Sequence, residues 1–232
     1  MPSPFGAINN KFLPKNAQCI SVWMGQQVGC PDIFFRARVS SRNGTEGAEP
    51  CPRQMDIERI KKSIRNVPDF PKLGIQYKDI TPLLQDPELF GNVIGIFYDR
   101  YKSEKIDVIV GIESRGFIFA APLALKLGCS LAIARKPGKL PYETVSAEYS
   151  LEYGVDALEL HIDAIKSGER VLILDDLLAM GGTAKAAGEL VMKLKGDIVC
   201  FAFLINLVEL RGIDILKPYQ VFSIVEYYSV CG

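Results

Sequence analysis

From residue 55 onward, short apolar runs alternate with stretches in which apolar residues recur every three or four positions. The runs Ile106 to Gly111, Ser130 to Ala134, Val171 to Leu174, Ile198 to Leu207 and Val221 to Glu226 predict strands, several of them apolar enough to be covered on both faces. Between them lie helical periods. Asp86-Pro87-Glu88 starts one helix, with Leu89, Val93, Ile96 and Phe97 as its buried stripe. Phe117 to Leu127 and Ala184 to Leu194 predict two more. Ahead of these, Asp56 caps a helix whose apolar face is Ile57, Ile60, Ile64 and Val67 and which Pro68 stops. A turn-rich segment, Pro68 to Gly74, leads into a short strand, Ile75 to Ile80. The strand-loop-helix-strand rhythm predicts an α/β fold with a mostly parallel central sheet and right-handed crossovers.

Residues 1–54 break this rhythm. They lack sustained periodicity, are punctuated by Pro and Gly, and hold the only tryptophan, Trp23. We expect a poorly ordered N-terminal extension there, or sequence upstream of the true start with Met55 as initiator. The basic, hydroxylated stretch around Arg36, Arg38 and Arg42 has neither an amphipathic helix nor a signal-peptide core. Residues 55–232 form the second expected domain.

Composition narrows the function classes. The chain has 232 residues and a formal net charge of zero, which gives no reason to expect nucleic acid or an anionic membrane as partner. No apolar run approaches the roughly 18 residues of a membrane span. Six cysteines at 19, 30, 51, 129, 200 and 231 form no clustered spacing. Reduced core thiols and a cytoplasmic setting are the expectation. With a single histidine, His161, Ser-His-Asp triads, Cys-His pairs and His-rich metal sites are no longer strong options.

Candidate chemistry gathers at strand ends. In VLILDDLLAMGGT, Val171 to Thr183, a buried strand leads to Asp175 and Asp176 and then to the small-residue loop Ala179-Met180-Gly181-Gly182-Thr183. Such a loop before a helix N-terminus suits a phosphate, and the carboxylates suit sugar hydroxyls, a hydrated Mg²⁺, or both. A turn with capping aspartates accounts for the same residues about equally well. A second strand ends in Glu113-Ser114-Arg115-Gly116, where a guanidinium offers bidentate contacts to phosphate. Residues 135–154 read as a two-stranded mobile flap, with Arg135, Lys136 and Lys139 at its base and Glu152 at its tip.

VLILDDLLAMGGT resembles the phosphoribosyl-diphosphate motif of type I phosphoribosyltransferases. Together with NVPDFPKLGIQYKDITPLL, GIESRGFIF, RKPGKLPYETV and SLEYG it is similar specifically to the adenine phosphoribosyltransferases, in the same order over roughly Met55 to Tyr227. The resemblance implies a type I phosphoribosyltransferase fold with a small hood and a flexible lid loop. It implies a Mg²⁺-dependent transfer from phosphoribosyl diphosphate to adenine, giving AMP and diphosphate, in a cytoplasmic homodimer. Ala179 to Thr183 would bind the 5′-phosphate, and Asp175 and Asp176 the ribose hydroxyls. Glu113, Ser114 and Arg115 would form the diphosphate loop, with a cis Glu113–Ser114 peptide. Arg135, Lys136 and Lys139 would contact diphosphate, in the family partly across a dimer interface. Ile75, Gln76 and Lys78 would fall on the hood over the base. Glu152 would be the general acid, and Tyr153 would close with it.

Two positions depart from that pattern. Met180 stands where the family usually has threonine, so one hydroxyl ligand to the 5′-phosphate is missing. Lys78 stands where it often has arginine, and an ammonium cannot reproduce the planar fork. Alternatives are a related transferase acting on hypoxanthine, guanine or orotate, a non-catalytic regulator on the same fold, and a Met180-weakened paralogue that only binds. The regulator would carry a DNA-binding element, and no basic helix-turn-helix pattern is present.

Overall fold

The computed structural model describes residues 52–151 and 154–228. Its centre is a five-stranded parallel sheet built from β3 (Val108–Ile112), β4 (Ser130–Ala134), β7 (Arg170–Leu178), β8 (Asp197–Leu207) and β9 (Val221–Tyr227). Their order is β4-β3-β7-β8-β9. All four neighbouring pairs are parallel. Two helices cross over from this sheet, α4 (Gly116–Leu127) and α5 (Gly182–Lys193).

Side-chain alternation assigns a core to each face. Ile109, Leu172, Leu174, Cys200, Ala202 and Leu204 pack with α4, with α1 (Pro52–Ser63) and with α3 (Pro87–Tyr101). Val108, Val110, Val171, Ile173, Phe201 and Phe203 pack with α5 on the opposite face. The parallel strands are therefore apolar in succession, as the runs in the sequence predicted. A two-stranded antiparallel flap, β5 (Thr144–Leu151) with β6 (Gly154–His161), adds Ala147, Leu158 and Leu160 to the α5 side.

Helix α3 starts where Asp86 predicted. The Asp86 side chain accepts from the backbone N–H groups of Glu88 and Leu89, and Leu89, Val93 and Phe97 are buried. The first helix differs from expectation at both ends. It runs Pro52–Ser63, and the following Arg65–Pro68 is a strand, β1, antiparallel to β2 (Gln76–Asp79). Val67 therefore pairs with Tyr77 across this hairpin instead of continuing a helical face. The extended conformation forced on the residue before a proline favours that outcome at Val67-Pro68. The flap also differs: its second strand lies at 154–161, beyond the irregular stretch that suggested it.

Candidate active site

The chain leaves β3 through α4 toward β4 on one side, and leaves β7 through α5 toward β8 on the other. Strands β3 and β7 are direct neighbours, with Val108 opposite Val171 and Gly111 opposite Leu174. Their carboxyl ends thus flank the point where strand order reverses, the place where α/β sheets open a crevice. A cleft of about 710 Å³ lies there. Glu113, Ser114, Arg115, Asp175, Asp176 and the whole loop Ala179 to Thr183 line it, together with Lys136, Tyr149 and Ile215.

Strand β7 is longer than the sequence run that predicted it. It continues through Asp175 and Asp176 to Leu178, because those residues keep parallel pairing with β8. The carboxylates therefore sit on a sheet strand and not in a loop. Gly181 follows at φ +81°, a left-handed turn that a side chain resists. A Cβ on Gly181 would lie 2.6 Å from the Gly212 carbonyl oxygen and 3.0 Å from Ile215 Cγ1. Helix α5 then begins at Gly182 with no side-chain cap, so its first N–H groups remain available to an anion. Met180 projects from this loop with 45% of its surface exposed.

The carboxylate pair is deeply set. Asp176 is only 3% exposed, and Asp175 is partly covered with its Oδ1 accepting from the Asp176 N–H at 2.8 Å. Burial, then the neighbouring Asp176 charge, pushes the Asp175 carboxyl well above the usual carboxylate range. Burial also raises Asp176, with Arg115 opposing it. Arg115 Nε stands 3.0 Å from Asp176 Oδ2, an ion-pair distance. The N–H direction is not that of a hydrogen bond, and Oδ2 has no aligned donor. The oxygen is itself buried, so its acceptor capacity is left unmet beneath Arg115. Arg115 Nη1 meanwhile donates to the Tyr77 hydroxyl at 2.5 Å, tying the β1–β2 hood to the site.

The remaining predicted residues divide clearly. The Glu113–Ser114 peptide is cis, as the resemblance implied. The Glu113 carboxylate is held by Arg135, at 2.9 and 3.2 Å, and by the Lys136 N–H at 2.9 Å. The Arg135 hydrogen bond above all keeps it below the usual range. Arg135 is thus engaged with Glu113 and does not line the cleft, nor does Lys139, whose carbonyl accepts from Arg135. On the hood, Gln76 accepts from Asn66 at 2.7 Å, and Lys78 donates to Asn66 at 3.1 Å with its Nζ over the Tyr227 ring. Burial, then Lys61, lowers the Lys78 pKa. Neither these two nor the partly exposed Ile75 lines the cleft in this arrangement. Glu152 and Tyr153 lie outside the described residues.

Sequence reading missed Tyr149, Gly212 and Ile215. Tyr149 belongs to the alternating strand pattern of the flap, which singled out Val145, Ala147, Tyr149 and Leu151 without giving any of them a role. Gly212 and Ile215 come from a segment with no pattern of its own, and only the packing against Ala179 and Gly181 reveals them.

A small-residue loop at a helix N-terminus, a buried carboxylate pair and a guanidinium meet around one sheet reversal, and the protein is of the phosphoribosyltransferase class: the family model for the phosphoribosyl transferase domain matches residues 79–230. The chain is 55% identical over 171 residues to the adenine phosphoribosyltransferase of Anaeromyxobacter sp. (strain Fw109-5), covering 74% of this chain and 97% of that protein. Among solved structures, the adenine phosphoribosyltransferase of Thermoanaerobacter pseudethanolicus superposes with a TM-score of 0.72 at 48% identity, over 74% of this chain and 99% of that one. The Saccharomyces cerevisiae enzyme, complexed with adenine and an imino-altritol bisphosphate, gives 0.71 at 39% identity, over 74% and 99%. The chain belongs to the adenine phosphoribosyltransferase family.

Proposed function

We infer that the protein transfers the 5-phosphoribosyl group of phosphoribosyl diphosphate to adenine, releasing diphosphate and forming AMP. The observation that carries this reading is the Ala179–Thr183 cradle set beside Asp175 and Asp176, facing Arg115 across the β3–β7 crevice. A bond forms between a ring nitrogen of adenine and the anomeric carbon as the bond from that carbon to diphosphate breaks. The ring nitrogen's proton is released. Positive charge builds on the sugar and negative charge on the leaving group.

The chain's own groups meet both. The α5 N-terminus and the loop N–H groups fix the 5′-phosphate, and the carboxylates hold the ribose hydroxyls and favour the developing sugar cation. Arg115 and Lys136 meet the departing diphosphate. Glu152 hydrogen-bonds a ring nitrogen of the base, accepting the released proton in this direction and returning it as general acid in the reverse, and closure of the flap excludes water from the reactive sugar.

The donor set fits Mg²⁺ bound mainly through the substrate. Among the described residues no group of three or more His, Cys, Asp or Glu side chains could hold a metal by itself. Asp175 and Asp176, with Asp176 Oδ2 lacking an aligned donor, would reach it through the ribose hydroxyls. When bound, Mg²⁺ supplies neutralisation of the diphosphate charge.

A homodimer fits the apolar side chains left uncovered on neighbouring elements: Leu131 and Ile133 on the edge strand β4, Ile118 and Leu125 on α4, with Leu125 86% exposed. No helix among the described residues is long and apolar enough to cross a membrane. We place the enzyme in the cytoplasm, with residues 55–232 as its transferase domain.

Release of diphosphate with adenine, hypoxanthine or guanine as acceptor tests the reaction. We expect turnover with adenine well above the other two. Preference for another base would overturn the specificity, and silence with all three would sink the transferase reading.

A further inference from the structure

Two members of a polar chain at the rim of the cleft, Tyr149 and Asp156, have no part in the mechanism above. Tyr149 and Asp156 stand directly opposite each other in the β5–β6 ladder, so their side chains share one face. The Tyr149 hydroxyl donates to Asp156 Oδ2 at 3.1 Å. The same oxygen accepts from Lys136 Nζ at 2.5 Å, while Asp156 Oδ1 accepts from the Ala157 N–H at 2.9 Å. One carboxylate thus gathers a lysine and a phenol, both of which line the cleft.

The chain continues at its lysine end into a binding loop. The Lys136 backbone N–H donates to Glu113, in the loop that would face diphosphate. Tyr149 also shares the cleft wall with Thr183 of the small-residue loop. Burial pushes the Tyr149 phenol up, so it stays a donor at neutral pH. The Lys136 hydrogen bond above all holds Asp156 below the usual carboxylate range, so it stays an anion. Asp156 does not line the cleft and cannot itself meet substrate.

We propose that Asp156 and Tyr149 are positioning residues for phosphoribosyl diphosphate: Asp156, braced by the Tyr149 hydroxyl, fixes the Lys136 ammonium at the cleft rim where the diphosphate binds. The proposal rests on the transferase reading of this cleft. A mere staple of the flap is the competing role. The Lys136 side chain is 55% exposed, and ion pairs that open to water contribute little stability. Positioning should therefore appear in substrate affinity and not in the melting temperature.

Asp156→Asn and Tyr149→Phe, made in the full chain, separate the two roles. We expect each to raise KM for phosphoribosyl diphosphate roughly 3–10-fold, with KM for adenine and Tm unchanged. Because both changes break one chain, the double variant should be no worse than Asp156→Asn alone. Calorimetric titration with phosphoribosyl diphosphate, without adenine, reads the same loss independently of turnover. Variants that bind it as tightly as the parent, or more tightly, overturn the proposal, as does a fall in Tm with both KM values moving together. A parent chain that does not bind phosphoribosyl diphosphate at all would instead overturn the transferase reading.

Discussion

Replacing Gly212 by alanine tests whether the segment after β8 braces the phosphate cradle. A Cβ at Gly212 would lie 3.0 Å from Leu178 Cδ1 and 3.1 Å from the Ala179 carbonyl carbon, with the Ala179 oxygen closer still. Ordinary carbon contacts need more than this, and two of the three obstructing atoms are backbone. Either the 208–216 segment moves outward or the cradle moves inward. Overpacking of this kind costs roughly 1–3 kcal/mol. At about 2–4 °C per kcal/mol for a domain of this size, Tm should fall by about 2–12 °C. A backbone shift of up to about 1 Å at Ala179 would also misplace the N–H groups beside it, and such errors cost up to about 100-fold in rate. We expect kcat/KM for phosphoribosyl diphosphate to fall by about 10–100-fold, measured at saturating adenine. Gly91→Ala is the control, since a Cβ there meets nothing within 4 Å on an exposed face of α3. It should gain about 0.5–1 kcal/mol from helix propensity and leave the kinetics alone. A Gly212→Ala enzyme with unaltered KM for phosphoribosyl diphosphate would refute the bracing argument, even if its Tm fell.

Three other perturbations address the cradle, the carboxylates and the dimer. Met180→Thr should restore a hydroxyl beside the 5′-phosphate; a hydrogen bond to a charged group is worth about 1.5–3 kcal/mol, so KM for phosphoribosyl diphosphate should drop at least several-fold, and an unchanged KM would remove the missing-hydroxyl explanation. Asp175→Asn should stabilise the protein while crippling it. The folded carboxyl is raised above its unfolded value, so it favours the native state at acid pH and that contribution is lost as pH rises through the folded pKa. The Tm advantage of the variant should therefore grow from about pH 4 toward neutrality, where the unfolded carboxyl is already ionised; an advantage that shrinks over that range contradicts the sign. Leu125→Glu places a charge on the most exposed apolar side chain of α4 and should shift the proposed dimer to monomer in sedimentation velocity, whereas a parent chain that sediments as a monomer overturns the dimer and an unmoved dimer places the interface elsewhere.

The central sheet was legible because a parallel strand covered on both faces must be apolar at successive positions, and five runs in the chain are. Helix α3 was legible from Asp86 and Pro87, whose effects are local. Failures came where a distant partner decides local structure. Val67 has a helical spacing from Ile60 and Ile64, yet pairing with Tyr77 on β2 makes it a strand residue. Asp175 and Asp176 look like loop residues, yet pairing with β8 keeps them in the ladder. The site followed the same rule. The cradle, the aspartates and Arg115 sit at the ends of readable strands and meet at the cleft. Arg135 has the composition of a phosphate ligand, but Glu113 lies close enough to claim its guanidinium, and no spacing in the sequence measures that distance.

The position of the carboxylate pair follows from the same geometry. Strands β3 and β7 are neighbours whose helices depart on opposite faces, so the crevice between their ends is walled by apolar cores on both sides. Acidic residues at the end of β7 are consequently desolvated, at a cost seen in their raised proton affinity. Asp176 recovers part of that cost through Arg115, but the approach leaves Oδ2 without an aligned donor. A fold selected only for stability would place an amide or an aliphatic side chain there. Sugar hydroxyls would supply the missing donors, and a sugar cation the missing countercharge. On the reaction proposed above, the destabilised pair is preorganised for the transition state of phosphoribosyl transfer, in which both would arrive together.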